Sequence, residues 1–302
     1  YLRFISRYPD IQSLAKGKDA DIMKLWEGLG YYSRCRNLIV TAREIVENRN
    51  GRFPDNYHDL LKLKGVGPYT AAAIASFAFN QPAAVVDGNV IRVISRFFGV
   101  AEPFDTSVGK KEFTRMANEL IDRQSPAEYN QAIMDFGATV CKPASPHCSS
   151  CPFEKRCFAA KNGSVEILPV KAKKNKIKDR WFLYFICRYK GKIYVRKRVE
   201  KDIWQGLNEF VLAEVPDAIG MQSIHEEKKT NKFIGVPFKV KNSSTEYLHL
   251  LSHQRIHAIF HELDLQEPLK DNTYKAVSRK EIEKMAFPRL ISKYLQESGF
   301  FF

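Results

Sequence analysis

Four of the six cysteines cluster in one short stretch and have the chemistry of a metal site. Their spacing is Cys141-x6-Cys148-x2-Cys151-x5-Cys157. Thiolates at such spacing suit tetrahedral zinc or an iron–sulfur cluster, and the spacing does not separate the two. Two disulfides are the alternative, but nothing else in the sequence indicates an oxidising compartment. Cys35 and Cys187 stand alone and are expected to be buried apolar residues.

A Gly-x-Gly turn followed by an aspartate offers a second kind of chemistry. Gly65 and Gly67 flank Val66, just before a proline that suits the first turn of a helix. The free N–H groups at the start of that helix suit an anion such as a phosphate. The apolar run 83–86 then ends in Asp87, a carboxylate that we expect to be buried. Its charge could stabilise a developing cation, or it could simply cap the next helix.

The cysteines, the Gly-x-Gly turn and Asp87 all lie in the first half of the chain, where helices are expected to position them. Apolar residues recur at three- to four-residue spacing through residues 1–160, which predicts an almost entirely helical region. From residue 181 the residue pattern becomes typical of β-strands, and the second half is predicted to be α+β. A Lys-rich stretch over 162–180 separates the halves and is predicted to be a linker. The predicted helices are 21–29, 37–48, 57–63, 69–79, 89–98, 110–122, 129–140, 279–286 and 288–296, and the predicted hairpin turn is 190–192.

The composition indicates a polyanionic partner. The net charge is +14 and the pI is near 9.4, which favours nucleic acid; an anionic membrane surface is the alternative. With 302 residues, 44% of them hydrophobic, the chain can form one large domain or two ordinary ones. No apolar run is long enough to span a bilayer, and no signal peptide is evident. We therefore expect a cytoplasmic protein without membrane association.

Together these motifs resemble a known family. LKGVGPYTAAAI, VDGNVIRV and the cysteine cluster are similar to the helix-hairpin-helix DNA glycosylases of the endonuclease III superfamily. WEGLGYYSRCRNL and NQAIMDFGATVC narrow the resemblance to the A/G-specific adenine glycosylases, the MutY family. The resemblance implies an all-α helix-hairpin-helix glycosylase domain over 1–161, with a [4Fe–4S] cluster on the four cysteines. It also implies a Nudix-like α+β domain over 181–302.

The same resemblance implies an activity. The enzyme would remove adenine mispaired with 8-oxoguanine or guanine in double-stranded DNA, as a monomer in base excision repair at the bacterial nucleoid. Asp87 would stabilise the oxocarbenium-like sugar, electrostatically or through a transient covalent bond, with Asn89 assisting. Tyr69 replaces the Schiff-base lysine of bifunctional relatives, so a monofunctional enzyme is expected. Tyr31 matches an intercalating position, and Gln131 one near the adenine pocket. The DNA-binding turn would comprise Lys64, Gly65, Val66, Gly67 and Thr70.

The C-terminal domain is expected to recognise 8-oxoguanine without being a second enzyme. The sequence contains no G-x5-E-x7-R-E-x-x-E-E run that would hold magnesium. The candidate reading loop is Leu251-Ser252-His253, where relatives often have Phe-Ser-His. Ser252 would hydrogen-bond to the modified base. His253 would contact the backbone or the exocyclic groups of that nucleotide. Leu251 departs from the pattern, and residues 203–210 depart from the family's usual Trp-Glu-Phe-Pro.

The general acid of the family is not found. In relatives, a glutamate in a segment like S-E-x-M-L-Q-Q-T protonates the departing adenine, and no such segment occurs among these residues. We expect that the chain lacks an N-terminal segment and that excision requires residues upstream of Tyr1. One alternative is a short relative that binds lesions without cleaving them. Another is a mismatch or oxidised-pyrimidine glycosylase of the same superfamily.

Overall fold

The structure is a computed structural model that describes residues 1–172, 177–222 and 233–300. The chain divides into two compact units. The first combines Tyr1–Glu47 with Asn175–Phe302, and the second is Asn48–Lys174. Part of the predicted linker, 173–176, lies outside the described residues. No helix in the described ranges is long and apolar enough to cross a membrane.

Four helices open the first unit. They are α1 (Leu2–Arg7), α2 (Ile11–Lys16), α3 (Asp19–Leu25) and α4 (Tyr32–Asn48). Asp10 starts α2 with a capping box, since its carboxylate accepts the Ser13 amide at 2.7 Å. Ile22, Cys35 and Ile39 are buried in the same core as the C-terminal sheet. These helices therefore complete the first unit, although the sequence assigned them to the helical domain.

A mixed sheet forms a large part of the first unit. β1 pairs antiparallel with β2 and β4 and parallel with β7, while β5 and β6 pair antiparallel with β7. Lys190 and Gly191 have φ of 46° and 73°, so β1 and β2 meet in a tight turn, which confirms the predicted hairpin. The strands are β1 (Lys178–Tyr189), β2 (Lys192–Lys197), β3 (Asn208–Glu209), β4 (Val211–Val215), β5 (Phe238–Ser243), β6 (Tyr247–Leu250), β7 (Gln254–Leu265) and β8 (Lys275–Val277).

β1 is buried on both faces. Phe182, Tyr184 and Ile186 join the core shared with α2 to α4 and with two C-terminal helices, Arg279–Lys284 and Arg289–Glu297. The alternate residues Leu183, Phe185 and Cys187 join a second core on the opposite face. A strand covered on both sides reads as a continuous apolar run, as it does here. The predictions that Cys35 and Cys187 are buried are confirmed.

The second unit is helical, as predicted. Its core contains Val90, Ile94, Phe113 and Ala117. The predicted helices are present with shifted ends, except that α5 is shorter than predicted because the chain turns after Leu60 towards the Gly-x-Gly segment. The helices are α5 (Tyr57–Leu60), α6 (Pro68–Phe79), α7 (Gly88–Phe98), α8 (Ser107–Leu120), α9 (Pro126–Thr139) and α10 (Phe158–Lys161), with 3-10 turns at Cys148–Ser150 and Glu154–Arg156.

Candidate functional site

The Gly-x-Gly turn presents a helix start that no side chain caps. Gly65 takes a φ of 77°, which favours glycine, and Gly67 directly precedes α6. Pro68 occupies the first helical position, so the next amides of α6 have no partner within the helix. The predicted DNA-binding residues all lie on this turn, and all except Val66 are exposed: Lys64, Gly65, Val66, Gly67 and Thr70. The arrangement suits an approaching phosphate.

Asp87 caps α7 and is held firmly in place. Its Oδ1 accepts the backbone amides of Asn89 and Val90, each at 2.8 Å, and its Oδ2 accepts Asn89 Nδ2 at 2.9 Å. The carboxylate is only half-buried, so the expectation of a buried group is corrected. Because the carboxylate is partly exposed, a substrate can reach it while it caps the helix. Capping and a catalytic role are therefore compatible at this residue.

Arg92 links this carboxylate to the cysteine loop, and sequence reasoning missed it. The side chain is 7% exposed, and this burial lowers the pKa of the guanidinium. Nη2 donates to Asn89 Oδ1 at 2.8 Å and to the Gly137 carbonyl at 2.6 Å. Nε donates to the Cys141 carbonyl at 2.6 Å. Arg92 thus orients the side-chain amide of Asn89, which in turn bonds Asp87. In the sequence, the available signal for this role was that Arg92 lies three residues after Asn89 on the same predicted helix.

Asn130 is a second positioning residue that was missed. It lies on α9 and is 1% exposed. Its Nδ2 donates to the Ser76 hydroxyl at 3.0 Å and to the Ala83 carbonyl at 2.9 Å, and its Oδ1 accepts the Val85 amide at 3.1 Å. Asn130 therefore holds the extended segment that leads to Asp87. The only signal in the sequence was an amide within an apolar helix.

Tyr69 and Gln131 differ in their surroundings. Tyr69 is the second residue of α6, is 45% exposed, and its hydroxyl lies 3.8 Å from the Met134 sulfur on α9. Gln131 is exposed on α9, and its Nε2 donates to Asp135 Oδ1 at 2.9 Å. The structure thus brings Tyr69 against α9, while the amide of Gln131 bonds its own helix.

Tyr31 projects from a glycine-flanked loop in the first unit. It is 70% exposed at a φ of 46°, and the Arg34 guanidinium lies 4.9 Å from its ring centre. Gly28 and Gly30 also have positive φ, which bends the loop sharply. The neighbouring Tyr32 is buried instead. The loop therefore presents one aromatic ring to solvent and anchors the other.

Ser252 and His253 form the tip of the β6–β7 hairpin. Both are exposed, and Ser252 Oγ lies 3.1 Å from His253 Nδ1. Leu251 packs against the core of the first unit, and its amide donates to the Gln254 carbonyl at 2.8 Å. The departure from Phe-Ser-His thus falls at an inward-facing position. Leu251 anchors the tip and is not presented for stacking.

The four clustered cysteines line one cavity of about 360 Å³ in the second unit. Arg96 Nη1 donates to Cys141 Sγ at 3.5 Å, and the Phe153 amide to Cys151 Sγ at 3.4 Å. Burial, followed by the neighbouring thiols, raises the pKa of Cys148. Over the described ranges, no three His, Cys, Asp or Glu side chains are placed to hold a single metal ion. Thiolates that line one cavity are the ligand type of both zinc sites and iron–sulfur clusters.

Close packing between α7 and α9 supports the site, and Gly137→Ala tests it. The added Cβ would lie 2.7 Å from Asn89 Cβ and 3.0 Å from the Asn89 carbonyl oxygen. We expect a loss of about 1–2 kcal/mol in the free energy of unfolding, measured in urea. Gly88→Ala is the control, because its Cβ meets nothing within 4 Å. Equal losses in the two variants would contradict this account.

Comparison with known proteins identifies the two parts of the chain. The family model described as "HhH-GPD superfamily base excision DNA repair protein" matches residues 1–121, and a NUDIX domain model matches residues 183–297. A solved thermostable thymine-DNA glycosylase is 32% identical, with a TM-score of 0.50, over 53% of this chain and 74% of its own. The predicted fold class is confirmed. The helical family match begins at residue 1, so family boundaries and compact units do not coincide.

Curated relatives narrow the family further. The adenine DNA glycosylase of Buchnera aphidicola subsp. Schizaphis graminum is 35% identical over 263 residues, which cover 86% of this chain and 73% of that protein. The adenine DNA glycosylase of Homo sapiens is 44% identical over 170 residues, which cover 56% of this chain and 31% of that protein. The chain therefore belongs to the adenine DNA glycosylase, or MutY, family of helix-hairpin-helix base excision repair proteins.

Proposed function

We propose that this chain binds double-stranded DNA at A:8-oxoguanine and A:G mispairs and supplies Asp87 for hydrolysis of the adenine N-glycosidic bond. One observation carries the proposal. Asp87 is fixed at the start of α7, in the same unit as the exposed, uncapped Gly67–Thr70 helix start. Base removal uses both a contact to the DNA phosphates and an oriented carboxylate near the reacting sugar.

The role of Asp87 follows from the charge that the reaction creates. Departure of adenine leaves an oxocarbenium-like sugar, which a fixed carboxylate stabilises or traps as a covalent intermediate. Asn89 fixes the carboxylate through its amide and its side chain. Tyr69 has no amine to form a Schiff base, so water completes the reaction and the strand stays intact.

Adenine must leave the helical stack before it can react. The exposed ring of Tyr31 is the group that fills the resulting gap, since its loop holds it away from the core. Gln131 reads the adenine edge once its amide exchanges the Asp135 bond for the base. Ser252 and His253 contact the opposite 8-oxoguanine, and the enzyme acts as a monomer.

Glu27 does not supply the general acid. Its Oε1 accepts the Phe287 amide at 3.1 Å and the Ser292 hydroxyl at 2.8 Å, and its Oε2 pairs with Lys24 at 2.6 Å. These bonds make Glu27 a structural residue of the first unit. We infer that the 302 residues bind the mispair but excise adenine slowly without an S-E-x-M-L-Q-Q-T glutamate.

The four cysteines are proposed to hold a [4Fe–4S] cluster. The cavity that they line and the N–H groups directed at two of the sulfurs support this proposal. When bound, the cluster supplies cross-links between the end of α9 and the loop that follows it. Arg96 steadies that loop independently, because Nη1 also donates to the Lys142 carbonyl at 2.8 Å.

Binding assays on the 302-residue chain test the proposed substrate. We expect the tightest binding to duplexes with A:8-oxoguanine, followed by A:G, and weaker binding to A:T and T:G. Fluorescence anisotropy at fixed salt provides the comparison, because phosphate contacts make every affinity salt-dependent. Equal affinity for all four duplexes would overturn the proposal. A preference for T:G would favour the mismatch-glycosylase alternative.

Gly67→Ala tests the proposed contact between a DNA phosphate and the first amides of α6. The added Cβ meets nothing within 4 Å, and the backbone φ of −90° suits alanine, so stability should change by less than about 0.5 kcal/mol. The methyl group would stand where a phosphate approaches the amides of α6. We expect about tenfold weaker binding to every duplex alike, because phosphate contacts carry no sequence information. A loss confined to mispaired duplexes would contradict this role.

A further inference from the structure

A cluster of charged side chains supports the β6–β7 hairpin and has no part in the chemistry described above. We call it the Asp179 cluster; its members are Asp179 and Trp181 of β1, Glu246 just before β6, and Arg255 and His257 of β7. It lies at the end of the sheet that carries Ser252 and His253. β1 and β7 run parallel, and Asp179 stands directly opposite Arg255 in their register.

The charged side chains of the Asp179 cluster form ion pairs with one another. Arg255 Nε and Nη2 donate to the two carboxylate oxygens of Asp179 at 2.7 and 2.8 Å, a bidentate pair. His257 Nε2 lies 3.1 Å from Asp179 Oδ1, and its Nδ1 lies 2.6 Å from Glu246 Oε1. Trp181 stacks on the imidazole with ring centres 5.4 Å apart and planes 14° apart.

Both nitrogens of His257 therefore face carboxylates, which suits the doubly protonated ring. Burial alone would lower the pKa of His257, but the bonds to Glu246 and Asp179 outweigh it and raise the pKa. In that form two cations meet two anions, so the cluster is neutral. A neutral, mutually bonded set holds β1, β7 and the approach to β6 in one fixed arrangement.

The cluster sets the position of the hairpin tip because the tip is short. Leu250 pairs with Arg255 across the hairpin, which leaves residues 251–253 and Gln254 to make the turn. The Lys178 amide, next to Asp179, donates to the His253 carbonyl at 3.1 Å. Leu251 is anchored in the core on the other side. The exposed Ser252 and His253 are thus held by the core and by the start of β1.

We propose that Asp179 and Arg255 are positioning residues that allow Ser252 and His253 to distinguish 8-oxoguanine from guanine. The inference rests on the proposed reading role of those two residues. The two bases differ by one oxygen and one N–H on the imidazole edge, so discrimination depends on hydrogen bonds placed to within about 0.5 Å. A tip freed from the cluster keeps its side chains but loses that placement.

We expect a substitution at this site to change the discrimination between 8-oxoguanine and guanine without changing the stability of the fold. The Asp179–Arg255 pair is partly exposed, with side chains 24% and 48% accessible. Exposed pairs contribute little to folding, so removing one charge should leave the sheet intact. Contacts with DNA phosphates elsewhere are also unaffected. The expected signature is a lower preference for 8-oxoguanine at unchanged affinity for guanine.

The test measures Kd of the 302-residue chain for duplexes with a non-cleavable adenine analogue opposite 8-oxoguanine or guanine. We expect Asp179→Asn to lower the ratio of the two affinities at least fivefold, with guanine binding within twofold of wild type. Asp179→Glu should restore most of the ratio, because it can rebuild both bonds to Arg255. Asp19→Asn is the control, since Asp19 forms a similar exposed pair with Arg43 at 2.6 Å on α3 and α4.

The outcomes distinguish this inference from the function on which it rests. A wild-type chain without preference for 8-oxoguanine overturns the reading role of Ser252 and His253, and this inference with it. A wild-type preference that survives in Asp179→Asn overturns the positioning role alone. Equal weakening of both duplexes also overturns it, because it indicates a phosphate contact or a folding defect. Should Asp179→Asn not fold, Arg255→Gln removes the same pair from the other side.

Discussion

Asp87→Asn is expected to lower the rate of adenine excision about a thousandfold while leaving mispair binding within twofold. The loss follows from removing the negative charge proposed to stabilise the sugar cation, an effect of about 4 kcal/mol on the barrier. Excision is measured under single-turnover conditions in a chimera, in which a family segment bearing S-E-x-M-L-Q-Q-T precedes the 302 residues. The chimera supplies the general acid, so that the change at Asp87 alone limits the rate.

The fold should survive this substitution. Asparagine caps helices about as well as aspartate, and its Oδ1 can keep both amides of the first turn. The new Nδ2 would face Asn89 Nδ2, which cannot turn over without losing the bond from Arg92. One lost bond of this kind costs about 1 kcal/mol. A change in unfolding free energy much larger than this would mean that Asp87 is chiefly structural.

A matched carboxylate in the same unit provides the control. Asp122 Oδ1 accepts the amides of Gln124 and Ser125 at 2.8 and 3.3 Å, the same two- and three-residue pattern that Asp87 makes. Asp122→Asn therefore makes the same chemical change at another local cap. It should leave excision unchanged. Equal losses in the two variants would contradict the catalytic assignment of Asp87.

Cys148→Ser is expected to abolish the visible absorption of a bound iron–sulfur cluster and to destabilise the second unit. The loop over 141–157 has only two short 3-10 turns, and its cysteines surround a cavity in place of a packed core. Metal binding must therefore supply much of its folding energy, which for structural sites is on the order of 10 kcal/mol. The readouts are iron per chain, the visible spectrum and the melting temperature.

Cys187→Ala is the control that distinguishes the loss of a cluster ligand from the loss of any thiol. Cys187 is fully buried in β1, and burial raises the pKa of its thiol to about 12. Its removal should lower stability through a small cavity yet leave the absorption per chain unchanged. Wild-type protein with one zinc per chain and no visible band would overturn the cluster proposal. So would a Cys148→Ser protein that retains the full spectrum.

Sequence reasoning succeeded where the pattern itself expresses the physics. The apolar run of β1, the hairpin turn after it and the helical spacing of the second unit all follow from local geometry. The Gly-x-Gly segment also forms a turn, with Gly65 at a positive φ, while the metal-binding role of the cysteine spacing stays a prediction. The fold class of both parts could be predicted, as could the position of Asp87 at an element end.

The groups that position the site could not be predicted, because their partners are distant in sequence. Arg92 bonds residues 45 and 49 positions away, and Asn130 bonds Ser76, 54 positions away. An arginine or an asparagine in a helix is more often exposed, so the weak local signals at Arg92 and Asn130 did not predict burial. Leu251 likewise appeared as a departure from a family motif until its packing against the core was seen.

The shared core of the first unit also constrains the order in which the chain can fold. Lys24 Nζ donates to the Met285 carbonyl at 2.8 Å, across 261 positions of sequence. The second unit, Asn48–Lys174, is inserted between the two segments of the first. During synthesis, we expect the inserted unit to be completed first, while α1 to α4 await the sheet that covers them. The helices α1 to α4 would thus be synthesised before the second unit but buried after it.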